Sequence, residues 1–181
     1  VLLGHGTSLL DTYATLNLNR GGTLKTPKVY TTRAAEGTEA RSSIMNLNGG
    51  LLQVTANDTP ETPFIANAGQ ALVFQLNVLA GGAIIDTGFY NATITEGLLD
   101  GDELGGGLTK LGDGTLTLGG ANTYTGATLV EAGGLSVTGS LTSNVTVADG
   151  AALLGTGTIL GDVVAGAGAT LAPGESIGTL T

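Results

Sequence analysis

The sequence predicts an all-β chain wound into a parallel β-helix, a β-solenoid of roughly 18 or more residues per turn. Three ladders of aliphatic residues carry that prediction. Val130, Val147 and Val164 recur at intervals of 17, while Leu135, Leu153 and Leu171, and likewise Leu141, Ile159 and Ile177, recur at intervals of 18. Each pass of the chain thereby sets an aliphatic side chain above its equivalent in the pass before. Composition agrees: 32 of 181 residues are glycine, 41% are hydrophobic, only 12% are charged, and mean hydropathy is +0.31. A coil points one face of every strand inward and turns its corners on glycine, which adopts corner conformations without steric cost.

Taken in order, the elements fit that coil. Leu16-Asn17-Leu18-Asn19-Arg20-Gly21-Gly22-Thr23-Leu24 returns as Met45-Asn46-Leu47-Asn48-Gly49-Gly50-Leu51-Leu52, with leucines recurring at 29 residues. The N-terminal turns are therefore expected to carry longer loops. Thr31 to Ser43, with Arg33, Glu36, Glu39 and Arg41, reads as an excursion from the coil, and Asn57 to Pro63 as a second loop. Ala71 to Val78 reads as strand, with a short helix as the alternative. From Gly105 onward the pattern is dense and regular. Thr115 to Leu118, Gly134 to Val137 and Asn144 to Val147 alternate with period two, the mark of a strand with one buried face. Asp113-Gly114, Gly119-Gly120, Asp149-Gly150 and Gly166-Ala167-Gly168 between them are turn chemistry. At a spacing of about 4.8 Å per turn the whole chain would form seven to ten turns and a rod on the order of 40 Å long. No composition break marks a second domain, so residues 1–181 read as one β-helix domain, irregular over 1–104 and regular over 105–181.

Charge narrows the partners. Fifteen acids against six bases give a net charge of −9, which disfavours nucleic acid, whose phosphates must be neutralised by Lys and Arg, and disfavours anionic membrane surfaces equally. No stretch approaches the roughly 20 apolar residues of a membrane-spanning helix, so no membrane insertion by this chain is expected. The absence of cysteine excludes disulfide staples and thiolate metal sites. Val1 is neither an initiator methionine nor part of a charged-then-apolar leader, so the chain is expected to be a mature product or a fragment.

Gly106-Gly107-Leu108-Thr109-Lys110-Leu111-Gly112-Asp113-Gly114-Thr115-Leu116-Thr117-Leu118-Gly119-Gly120-Ala121-Asn122-Thr123-Tyr124-Thr125-Gly126-Ala127-Thr128 resembles, almost residue for residue, the autotransporter-associated β-strand repeat of bacterial passenger domains. Leu171-Ala172-Pro173-Gly174-Glu175-Ser176-Ile177-Gly178-Thr179-Leu180-Thr181 resembles the PGxSxGTL segment of the same proteins, and Gly81 to Thr87 resembles segments that precede the repeat. The resemblance implies a right-handed parallel β-helix, exported by a Gram-negative bacterium and displayed on or released from its surface. The family's C-terminal β-barrel translocator and signal peptide have no counterpart in these residues. The chain is thus expected to be a piece of a longer passenger or a related repeat protein without a barrel of its own. Fold and compartment follow from such a resemblance; activity does not, since one fold hosts many functions.

Candidate chemistry is sparse. His5, Ser8 and Asp11 are the one set that could be drawn as a nucleophilic triad, but they lack a nucleophile-elbow pattern, and no second histidine exists. Carbohydrate-cleaving β-helices need a carboxylate pair at about 5–9.5 Å. Asp113, Glu131, Asp149 and Asp162 are the candidates, yet Ala132 and Ala167 interrupt the line, and basic residues that could hold a uronate are missing, Lys110 being the last cation in the chain. Asp100, Asp102 and Glu103 could collect an incidental surface ion, whereas the calcium-binding GGxGxDxUx repeat does not recur. The Asn-x-Thr triplets at Asn57, Asn91 and Asn144 read as turn or strand residues in a bacterial protein. No catalytic, cofactor-binding or metal-binding residue is therefore assigned, and no cofactor is implied.

The leading expectation is a non-catalytic structural module of an extracellular bacterial surface protein, a spacer, adhesin stalk or fibre subunit. Neither end, Val1-Leu2-Leu3 or Gly178-Thr179-Leu180-Thr181, carries a polar cap, so self-association through the solenoid ends, and filaments, are part of it. The alternative is a carbohydrate-active or glycan-binding β-helix whose lateral groove is built from N-terminal loops such as Thr31 to Ser43.

Overall fold

The computed structural model describes residues 2–3, 13–31, 42–67, 73–102 and 104–174. After a short strand, β1 (Leu2–Leu3), these residues run through seven coils of three strands each. The first three are β2 (Tyr13–Asn19), β3 (Thr23–Thr26) and β4 (Val29–Thr31); β5 (Ser42–Asn48), β6 (Leu51–Val54) and β7 (Ile65–Ala66); and β8 (Val73–Val78), β9 (Ala83–Asp86) and β10 (Ala92–Ile94). The fourth and fifth are β11 (Leu98–Asp100), β12 (Leu108–Leu111) and β13 (Thr115–Leu118), then β14 (Ala121–Asn122), β15 (Thr128–Val130) and β16 (Gly134–Val137). β17 (Ser140–Leu141), β18 (Val145–Val147) and β19 (Ala152–Gly155), followed by β20 (Thr158–Ile159), β21 (Val163–Ala165) and β22 (Thr170–Pro173), complete the stack. No helix occurs among the described residues.

Each strand pairs in parallel with its counterpart one coil later, except that β11 and β14 form no ladder. The second side is one seven-stranded sheet from β3 to β21, and the third is an eight-stranded sheet from β1 and β4 to β22. The first side is divided into β2-β5-β8-β11 and β14-β17-β20. The arrangement is that of a right-handed parallel β-helix, the hand that connections between parallel strands take almost without exception.

The register explains why the two halves read so differently. Leu16 pairs with Met45 and Val29 with Ile65, whereas Ala92 pairs with Leu116, and Leu135 with Leu153. The coils thus shorten toward the C-terminus as loops disappear from the corners. Asn57 to Pro63 is such a loop, closed by the Thr59–Thr62 bridge. Thr31 and Ser42-Ser43, read as ends of an excursion, close β4 and open β5, and residues 32–41 between them lie outside the described residues. β8 settles Val73 to Val78 as strand rather than helix.

Two ladders match the register in their described rungs: Leu135-Leu153-Leu171 and Leu141-Ile159; Ile177 lies outside the described residues. The valine ladder needs correction at its last rung. Val130 pairs with Val147, but Val147 pairs with Ala165, while Val164 pairs with the outward Thr146 and is 61% exposed. The interval grows by one residue there, and a one-residue slip moves a strand side chain to the opposite face. Val163 takes the inner place and packs on the core.

Outward asparagines add a second set of rungs on the first side. Asn77 Nδ2 donates to Asn46 Oδ1 at 2.9 Å, and Asn46 Nδ2 donates to Asn17 Oδ1 at 2.7 Å. Inside, aliphatic side chains from all three sides form one continuous core, from Leu18 to Leu153.

Candidate functional site

The polar side chains that the resemblance brought forward stand inside the coil, in the fourth to sixth turns. On β12 the strand alternation directs Thr109 outward and Leu108 and Lys110 inward, so Lys110 occupies a core row beside Ile85 and Val130. It is fully buried. Its ammonium reaches the corner between the second and third sides and donates to the carbonyls of Gly112 at 2.7 Å, Leu111 at 3.0 Å and Ala132 at 3.1 Å. Three acceptors suit an ammonium's three N–H groups. Burial pushes the amine down from 10.5 to about 8, against the opposing pull of Asp86 and Asp113. A desolvated lysine is the type that can act as a base or Schiff-base former. This one has no approach for a substrate, and its protons are shared among carbonyls of two coils.

Asn122 fills the break in the first side. β11 and β14 are not joined as a sheet ladder; Asn122 Oδ1 instead accepts the Leu98 N–H at 3.0 Å. Its Nδ2 donates to the carbonyls of Gly120 and Ser140, both at 2.9 Å. One buried amide thus ties three successive coils. At the next corner Tyr124, also fully buried, hydrogen-bonds through its hydroxyl to Thr128 Oγ1 at 2.6 Å, and Thr128 Oγ1 to Ser143 Oγ at 2.6 Å. Burial pushes the Tyr124 phenol up to about 12, opposed by the hydrogen bonds from Thr128 and Ser143. Among the described residues no buried side-chain nitrogen or oxygen lacks a partner.

These two shifts make stability depend on alkaline pH in opposite directions. Between about pH 8 and 10.5 an unfolded lysine holds a proton that folded Lys110 has lost, so stability rises with pH across that window. Between pH 10 and about 12 the unfolded tyrosine ionises first, so stability falls there. Urea midpoints measured from pH 7.5 to 11.5 should climb and then drop. Lys110→Met should remove the climb and Tyr124→Phe the drop.

The surface candidates do not assemble. Asp113, Glu131 and Asp149 occupy the corner between the second and third sides on three successive coils, all exposed, whereas Asp162 lies at the corner between the first and second sides. Four carboxylates read together in the sequence therefore divide between two edges. Asp100 and Asp102 are engaged locally: Asp100 Oδ2 accepts from Thr125 Oγ1 at 2.8 Å, and Asp102 accepts from the N–H groups of Ala80 at 2.9 Å and Leu104 at 3.1 Å. No group of three His, Cys, Asp or Glu among the described residues is placed to hold a metal ion. Asn57, Asn91 and Asn144 cap the next coil, their amide oxygens accepting the N–H of Asn91, Thr115 and Asp162 at 2.8, 3.0 and 2.9 Å. His5, Ser8, Asp11 and Glu103 lie outside the described residues.

Residues 108–137, which contain Lys110, Asn122, Tyr124 and Thr128, match the family model described as the passenger-associated-transport-repeat. The chain carries an autotransporter passenger repeat. Two proteins of Serratia marcescens, each described as an extracellular serine protease, are similar to it. One is 37% identical over 141 residues, spanning 74% of this chain and 13% of the relative; the other is 34% identical over 128 residues, spanning 67% and 12%. This chain thus corresponds to about an eighth of either relative's length. No solved structure matches it. The passenger repeat coincides with the point where long coils give way to short ones, and its polar residues are the ones that join them. Lys110, weighed in the sequence only as the last cation near a surface carboxylate line, is instead buried; the alternation Leu108-Thr109-Lys110 is the signal that could have placed it inside, whereas nothing in the spacing marks Asn122 or Tyr124 as buried.

Proposed function

We propose that this chain is a non-catalytic structural segment of an extracellular or surface-displayed protein of a Gram-negative bacterium, a rigid coil that spaces or supports a working part elsewhere. The observation that carries this reading is the placement of its reactive groups. The amine, phenol and hydroxyls of Lys110, Tyr124, Thr128 and Ser143 are buried and committed to hydrogen bonds within and between coils. The relatives' descriptions name a protease, and the segment they share with this chain reads as the support of such an activity rather than its site. In a longer polypeptide, deleting residues 142–159, one coil in the register Leu141-Ile159, should shorten the rod by about 4.8 Å and leave the activity of the remainder unchanged. A second measurement addresses catalysis directly. The 181-residue chain should release neither peptide nor reducing ends from protein and polysaccharide substrates, and release abolished by Asp113→Asn or Glu131→Gln would overturn the assignment.

A further inference from the structure

One corner between the second and third sides projects beyond its neighbours. Ile85 pairs with Lys110 and Ala92 with Leu116, so the third coil takes one residue more than the fourth to round that corner. Lys110 pairs with Val130 and Leu116 with Leu135, so the fifth coil takes one residue fewer again. The surplus residue has no counterpart to stack on and is turned outward: Phe89 is 84% exposed, and Tyr90 beside it 37%. That exposure belongs to an ordered corner. Gly88 N–H donates to Asp86 Oδ1 at 2.8 Å, Tyr90 N–H to the Thr87 carbonyl at 2.9 Å, and Gly114 N–H, from the next coil, to the Gly88 carbonyl at 2.9 Å. A Cβ on Gly88 would lie 3.7 Å from Tyr90 Cδ2, so the tyrosine ring rests over that glycine.

Polar groups with unused hydrogen-bonding capacity flank the two rings. Asn57 on the second coil, Asn91 on the third and Thr115 on the fourth follow one another along this edge, and each asparagine turns its Oδ1 to the N–H of the next residue in that row, at 2.8 and 3.0 Å. These caps fix the orientation of two exposed amides. The Nδ2 groups of Asn57 and Asn91, the Tyr90 hydroxyl and the exposed Asp113 carboxylate have no hydrogen-bond partner among the described residues. Glu61, in the second coil's loop, and Glu131, on the fifth coil, are exposed along the same edge. No exposed cation among the described residues shares it, since Arg20, Lys25 and Lys28 stand in the first coil and Lys110 is buried.

We propose that the Phe89-Tyr90 corner binds a neutral saccharide, with a pyranose ring stacked on the aromatic platform and its hydroxyls held by Asn57, Asn91, Tyr90 and Asp113. Aromatic side chains cover the C–H face of such a ring, and a few fixed polar groups at the rim select its hydroxyls. The mixture of those groups chooses the ligand. A hydroxyl both donates and accepts, so it answers the amide N–H groups and the Asp113 oxygens alike. The side chains of a lysine-rich peptide would suit Asp113 and the rings, but they only donate and leave both amides unanswered. An acidic sugar is repelled by Glu61, Asp113 and Glu131. Binding of this kind adds a recognition site to a structural segment and needs no catalysis. An open platform of two rings holds its ligand weakly, with a dissociation constant on the order of 1 mM.

The 181-residue chain should be titrated with neutral tetrasaccharides of glucose, galactose, mannose and N-acetylglucosamine, to about 20 mM, and followed by amide NMR. At least one of them should shift the resonances of Phe89, Tyr90, Asn91 and Asp113. Phe89→Ala should weaken that binding at least about tenfold, whereas Phe89→Trp should retain it. Asn91→Asp keeps an acceptor for the Thr115 N–H but removes the donors, so binding should weaken several-fold while the circular dichroism spectrum stays that of the parent. Tetralysine and tetragalacturonate should leave these resonances unmoved. No shift with any of the neutral sugars, shifts that survive Phe89→Ala, or a stronger response to tetralysine than to the sugars would each overturn the proposal.

Discussion

Asn122→Leu should destabilise the fold by about 2–5 kcal/mol, although leucine matches asparagine in size and is apolar like its surroundings. The Leu98 N–H has the Asn122 amide oxygen as its acceptor, and no backbone rung replaces it, because β11 and β14 do not form a ladder. A buried donor left without an acceptor keeps the full cost of losing water. The carbonyls of Gly120 and Ser140 each lose a donor as well, although Gly120 retains the Ser140 N–H. Asn122→Asp should be worse at neutral pH, since a carboxylate would face those two carbonyl oxygens, and should partly recover on acidification as the carboxyl protonates. Urea unfolding gives the magnitude, and amide exchange gives the location: protection should fall first at Leu98 and Thr123, on either side of the break. Exchange that accelerates uniformly instead would show that the amide does not couple the two parts of the first side. Thr123→Ala, exposed and adjacent, should change stability by no more than about 0.5 kcal/mol.

That asparagine marks the boundary of what could be read from the chain. The ladder Leu135-Leu153-Leu171 was legible because a solenoid repeats one environment at one interval, and aliphatic residues recurring at that interval have one physical explanation. Val164 misled for the same reason in reverse. The interval changes by one residue between β18 and β21, and neighbouring valines at 163 and 164 are equally apolar, so only the pairing with Thr146 and Ala165 shows which points inward. The buried polar residues were less legible, because an inward Asn in a two-residue strand, or a Tyr at a corner, looks like turn chemistry until its hydrogen-bond partners are known. Lys110 stands between these cases: the alternation Leu108-Thr109-Lys110 places it inside, but only the carbonyls of Leu111, Gly112 and Ala132 explain how a cation is held there. The dispersed carboxylates follow the same logic. Linear spacing gives the coil on which a residue falls, while the corner it occupies depends on strand lengths, and that separates Asp162 from Asp113, Glu131 and Asp149.

Two glycines with the same local sequence should respond very differently to alanine. Gly114 and Gly150 each follow an aspartate at the corner between the second and third sides, and as turn chemistry Asp113-Gly114 and Asp149-Gly150 are equivalent. Their surroundings are not. A Cβ on Gly114 would lie 1.9 Å from the carbonyl oxygen of Tyr90 and 2.6 Å from its carbonyl carbon, backbone of the coil beneath that cannot move aside as a side chain can. Gly114 is also held between coils, its N–H donating to Gly88 and its carbonyl accepting from Gly134. Relief would require opening the stack where Lys110 caps it, so Gly114→Ala should cost about 3–5 kcal/mol, at the upper end of overpacking changes. Gly150 has no atom within 4 Å of its would-be Cβ, and its requirement is conformational, a φ of +76°. Gly150→Ala should therefore cost only about 1–2 kcal/mol, the penalty of a left-handed L-residue. Thermal or urea unfolding of the two variants decides between a corner glycine selected for contact and one selected for backbone angle. Equal losses would mean that coil spacing at the Gly114 corner is set by turn geometry alone, and that neighbouring coils do not press together there as their backbones indicate.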